Sequence, residues 1–145
     1  MAQPTTARPG KMRILLGDGA TPEVFSAPCG LTTKGLTIGK GLSEVRIPDC
    51  DDPDAPAWIG RDVTDLSIEI SGEGLLAAES VARWIAAAYA TVPTNAKVEI
   101  EFSTGTQTFF GAFHVDNFSI NSQAGERVSA SFSAKSDGEI VASFA

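Results

Sequence analysis

A chain of 145 residues with 43% apolar side chains has material for one hydrophobic core and one domain. Its formal net charge of −7 argues against capture of phosphate backbones or anionic bilayers by a basic face. No apolar run reaches bilayer-spanning length, and the opening MAQPTTARPGK has no apolar centre for a leader peptide, so a cytoplasmic place of synthesis is expected. Cys29 and Cys50 are too few for a disulfide scaffold and read as two isolated, partly buried thiols.

Residues 1–10 carry prolines, threonines and no pattern, and are expected to form a mobile arm ahead of a domain over residues 11–145. Lys11 to Leu16 (KMRILL) predicts a first strand, Gly17-Asp18-Gly19 a turn, and Glu23 to Ala27 a second short strand, together a hairpin. Gly30 to Gly41 mixes β-branched residues, leucine and glycine, which suits a twisted strand whose backbone approaches another closely. From Leu42 to Val63 the periodicity stops. That stretch holds three prolines and five aspartates but also Ile47, Trp58 and Ile59, so a long loop with something packed on it is expected.

Thr64 to Ser71 alternates Leu66, Ile68 and Ile70 with Asp65, Ser67 and Glu69, the pattern of a half-buried strand. Ser71 to Ala90 is the one convincing helical segment. Ala77, Val81, Trp84, Ile85, Ala88 and Val92 recur at steps of three and four, with Trp84 and Ile85 as the expected anchors, and Glu79 and Arg83 spaced to pair in solvent. Lys97 to Phe102 repeats the strand pattern, with Val98, Ile100 and Phe102 against Glu99 and Glu101. Gln107 to Ile120 is long and aromatic with a bend expected at Gly111, Arg127 to Lys135 alternates again, and Glu139 to Phe144 closes the chain. The expected fold class is α+β, mainly β: an antiparallel β-sandwich of about seven or eight strands, one flanking helix and a long loop.

No catalytic constellation assembles from these residues, and no enzyme or cofactor is expected. GLTIGKG lacks both the spacing and the final hydroxyl residue of a phosphate loop. Asp49, Asp51, Asp52 and Asp54 fail the calcium-loop register, which would place Pro53 at a ligand position and Asp54 where the turn glycine belongs. His114 is the only histidine, and neither CxxC nor HxxH spacing supports a metal site.

The order of segments from Lys11 to Phe144 nevertheless resembles a family, the major tail tube proteins of long-tailed phages and gene transfer agents. The resemblance is sharpest in Ala57-Trp58-Ile59-Gly60-Arg61-Asp62 leading to Leu66-Ser67-Ile68-Glu69-Ile70-Ser71-Gly72, and in Gly111-Ala112-Phe113-His114-Val115 followed by Gly125-Glu126-Arg127-Val128. It implies homo-hexameric rings that stack into a tube, inner sheets joined into a continuous barrel, and DNA passing through without specific binding. It also implies other tail proteins as partners, such as terminator, tape measure and distal tail proteins, no membrane partner, and a place in a virion tail assembled in the host bacterial cytoplasm. Within that reading the loop residues Ile47, Asp49, Asp51, Asp52, Trp58 and Ile59 are the expected subunit interface. Asp65, Glu69, Glu99 and Glu101 are lumen-facing candidates by alternation. The alternatives are a contractile-tail or secretion-system tube protein, which shares the architecture, and a monomeric β-sandwich binding module.

Overall fold

A computed structural model describes residues 3–8, 11–17, 25–26 and 30–145. Eight strands and one helix follow one another as β1 (Met12–Gly17), β2 (Phe25–Ser26), β3 (Leu31–Arg46), β4 (Ile59–Leu75), α1 (Ala78–Tyr89), β5 (Thr94–Phe102), β6 (Gly105–Asn121), β7 (Ser129–Ser136) and β8 (Val141–Phe144). All belong to one antiparallel sheet in the order β2-β1-β5-β6-β7-β4-β3, with β8 also on β6.

The sheet becomes two facing layers because β6 is long enough to serve both. Its first half pairs with β5 and β8, and its second half, from Phe113 to Asn121, pairs with β7. The first layer is β2-β1-β5-β6-β8 and the second is β6-β7-β4-β3. Near the far end the layers touch again, where the Lys34 ammonium donates to the Met12 carbonyl at 2.7 Å. The inward rows are those that alternation selects: Ile14 and Leu16 from β1, Ala96 and Val98 from β5, Phe113 from β6, Phe132 and Ala134 from β7, and Ile70 from β4.

The helix caps this core with Trp84, 3% exposed, whose ring lies 4.1 Å from that of Phe132 and 6.1 Å from that of Phe118. Gly72 makes room for the stack, since a Cβ there would stand 2.7 Å from the Phe132 ring. Ile85, the other expected anchor, is 38% exposed, and Val92 lies beyond the helix in the open. Trp84 and Ser80 are the buried helical residues, so the inward stripe is narrower than the sequence pattern and one large ring fills it. The expected Glu79–Arg83 pair gives way to a bond from Arg83 Nη1 to the Leu16 carbonyl at 2.9 Å, which ties the helix to β1.

Several expected boundaries move. Ser71–Leu75 continue β4 and are not helical. Leu42–Arg46 and Ile59–Val63 are not loop: they pair in register as the far end of a β3–β4 hairpin, Leu42 with Val63 and Arg46 with Ile59. Cross-strand pairing extends the ladder where side-chain periodicity fades, and the loop shrinks to residues 47–58. Gly111 sits in register opposite Ala96, and the irregularity in β6 falls between Val115 and Asn117. Gly111 lacks a side chain because Ile140 occupies that space. Cys50 is exposed, while Cys29, the Asp18-Gly19 turn and most of Glu23–Ala27 lie outside the described residues.

Candidate functional site

Among the described residues no group of His, Cys, Asp and Glu is suited to a metal ion, and no helix is long and apolar enough to cross a membrane. The features left to account for are surfaces, and three of them belong to the second layer.

The first is the face turned away from the core. On β3 it carries Thr33, Gly35, Thr37, Gly39, Gly41 and Ser43; on β4, Asp62, Asp65, Ser67, Glu69, Ser71 and Glu73. On β7 it carries Ser131, Ser133 and Lys135, and on β6, His114, Asn117 and Ser119. Its apolar side chains are at the row ends, Val45 on β3 and Leu75 on β4, and the field between them is polar. Asp116, at the β6 irregularity, accepts a 2.7 Å bond from Ser133 and lies 3.7 Å from Lys135, and His114 Nε2 is 3.2 Å from the Asp137 carboxylate. Asp65 and Glu69 both stand here, without an ion pair among the described residues.

Glu99 and Glu101 do not join them. They project from β5, in the other layer, and are held by β1 and its flank: Arg13 lies 3.2 Å from Glu99 and 3.4 Å from Glu101, and Lys11 lies 3.6 Å from Glu101. The four candidates are therefore two pairs on two different surfaces, one unpaired and one neutralised. Alternation identifies which residues share a strand face, but not which layer the strand joins.

The second feature is a pair of open edges. Among the described residues, β3 is paired on one side only, and residues 114–121 of β6 have β7 on one side and no strand on the other, because β5 begins at Thr94, opposite Phe113. Such edges template further strand pairing. Neither was foreseen residue by residue, since an edge is a property of strand order.

The third is the arm formed by the outer part of the β3–β4 hairpin and its tip. The structure gathers all six loop candidates there. Asp51 N–H donates to Asp49 Oδ1 at 2.9 Å, and Asp52 accepts a 3.1 Å bond from Ala55, so short turns shape the loop. Trp58 is 97% exposed, and Ile47 and Ile59 are exposed beside it. A fully hydrated indole at the end of a hairpin covers nothing in its own subunit.

A family model described as "Phage tail tube protein" matches residues 7–142. No curated protein matches the chain in sequence. Among solved structures, a chain in the virion of a native gene transfer agent particle superposes with a TM-score of 0.73 at 17% identity, covering 97% of this chain and 99% of that one. A chain in the tail of an empty gene transfer agent particle, refined with C6 helical symmetry, gives 0.73 at 18% identity over the same shares. The SPP1 tail tube gives 0.67 at 12% identity, covering 97% of this chain and 80% of that one. With the fold matched end to end and the family model spanning nearly the whole chain, this protein belongs to the phage tail tube protein family.

Proposed function

We propose that this chain is the wall unit of a tail tube: six copies close into a ring, rings stack, and DNA passes along the inside without being gripped. The observation that carries this reading is the second layer, a four-stranded antiparallel sheet with two open edges and one face that is polar between Val45 and Leu75 at its row ends. Four is an even number of alternating strands. When copies related by rotation about an axis sit side by side, β3 of one therefore runs antiparallel to β6 of the next, and the ladder continues without a parallel junction. Ring closure then removes both edges.

The polar face of that barrel lines the lumen, and the rows of glycine, serine and threonine leave it smooth and wet. Asp65 and Glu69 supply unpaired negative charge that repels the phosphate backbone. Glu99 and Glu101 lie on the outer layer and face away from the DNA. The arm tip, with Ile47, Asp49, Asp51, Asp52, Trp58 and Ile59, reaches a neighbouring subunit. The sixfold symmetry of the gene transfer agent tail supports the ring count. The role is structural rather than catalytic. The place of action is the virion tail after assembly in the host bacterial cytoplasm, and tail components such as terminator, tape measure and distal tail proteins meet the tube.

Negative-stain microscopy of the concentrated protein tests this. Sixfold end views and striated tubes are expected; a chain that stays monomeric at every salt and concentration overturns the reading.

A further inference from the structure

We propose that the groove between α1 and the second half of β6 is the seat for the apolar face of the β3–β4 arm of a second copy of this chain. The proposal rests on the ring reading above and names the surfaces that meet in it. The groove, about 420 Å³ in volume, is lined by Ile85, Ala88 and Tyr89 of the helix and by Val115, Phe118 and Ile120 of the strand, together with Asn117 and with Asp116, whose carboxylate is already engaged by Ser133 and Lys135. Ile85, Tyr89 and Ile120 are all exposed, so the subunit leaves this cleft largely uncovered.

The arm carries the matching surface. On its core-side face the pair Leu36–Ile70 is followed outward by Ile38–Ile68, Lys40–Leu66 and Leu42–Val63. Ile70 is buried, but Ile38, Leu42, Val63 and Leu66 are exposed, the last at 68%. The apolar row thus outruns the core it began in. Lys40 is the single charge in it, and a lysine can lay its four-carbon stem along apolar surface while its ammonium stays in water.

Strand geometry brings row and groove together. The pleat keeps core-side residues on one side of a sheet across any added strand. If β3 of one copy adds to the open side of β6 in the next, Ile38 and Leu42 fall on the side that holds Phe118, Ile120 and the helix. Within one copy the ladder Phe118–Phe132–Gly72–Lys34 sets Lys34 level with Phe118. Barrel strands tilt by ~35–45°, a stagger of about one residue per strand, or about four across this layer. A stagger of that size toward the arm tip places Ile38, in place of Lys34, at the level of Phe118. Ile85 and Tyr89 then close over the row from above.

The test uses the full chain with p-benzoylphenylalanine in place of Tyr89, assembled into tubes and irradiated. Cross-links to residues 36–46 or 59–66 of another copy are expected, with multimers up to the hexamer on a denaturing gel; cross-links confined to other segments overturn the proposal. A second variant, Ile120→Lys, alters a residue already exposed in the subunit, so its thermal midpoint should stay within about 2 °C of wild type. Its yield of sedimentable tube should fall roughly tenfold or more. A yield equal to wild type overturns the groove as a seat. Wild-type tubes with sixfold end views in the same preparations keep the ring reading standing if both measurements fail, whereas a wild-type chain that forms no tube removes both.

Discussion

Replacing Trp58 by alanine separates folding from assembly. The side chain is 97% exposed in the subunit and makes no core contact, so its removal should shift subunit stability by no more than about 0.5 kcal/mol, or about 2 °C in thermal midpoint. On the interface assignment proposed above, the indole gains a partner in the tube. Covering about 100 Å² of it at about 25 cal/mol per Å² contributes about 2.5 kcal/mol, a factor of roughly 60 in the association constant of one contact. Every subunit repeats that contact, so the critical concentration for assembly should rise by at least this factor. The assay is sedimentation of tubes across a protein titration, paired with calorimetry of the unassembled subunit. An unchanged critical concentration would refute the interface assignment. A midpoint that falls in step with assembly would instead place Trp58 in its own subunit's packing.

Trp84→Ala should do the opposite, costing about 3–5 kcal/mol of folding stability because the ring fills the space between Phe118 and Phe132, and lowering the midpoint by about 10 °C or more in calorimetry. Replacing both Asp65 and Glu69 by lysine should leave the subunit folded and make assembled tubes retain duplex DNA at low salt, with release as salt rises; wild-type tubes should retain none, and equal behaviour in a pelleting assay would take these residues out of the lumen. Replacing Glu99 and Glu101 by glutamine should cost less than about 1 kcal/mol in denaturant titration, since their pairs with Lys11 and Arg13 are partly exposed to solvent. Backbone amides of residues 47–58 should exchange within seconds in the subunit and become protected in the tube; protection already present in the subunit would show that the loop needs no neighbour.

What could be read in advance followed the range of the interactions involved. Alternation along Thr64–Ser71 and Lys97–Phe102 reports which residues share a strand face, and Ile70 and Val98 are in the core, but Leu66 on the same row as Ile70 is 68% exposed because the row runs past the end of the core. Trp84 was legible because its stripe repeats over two turns of one helix. Ile85 misled because the period marks a permitted stripe and only the partner surface decides its width. The arm looks like loop in the sequence because glycine, serine and charge dilute the pattern from Leu42 to Val63, although Leu42–Val63 and Arg46–Ile59 pair across the hairpin. Glu99 and Asp65 looked equivalent since both alternate with aliphatic residues, and only strand order puts them in different layers. A further signal lies in the sequence itself: Thr33, Gly35, Thr37, Gly39 and Gly41 on β3, with Ser131 and Ser133 on β7, repeat small or hydroxyl residues at period two. That is the trace of a face that must stay polar and flat.

Because β6 runs from Gly105 to Asn121 through both layers, losing either layer loosens the strand that the other needs. Peeling β5 from the front of the strand loosens the segment that β7 needs behind it, and Phe113, at the crossing, is buried in the shared core. All-or-none unfolding of the two layers, with equal calorimetric and van't Hoff enthalpies, is therefore expected. For a protein that must wait in solution with two sheet edges uncovered, such cooperativity is a safeguard: a half-open intermediate would expose further edges and seed disordered aggregates before a ring could form.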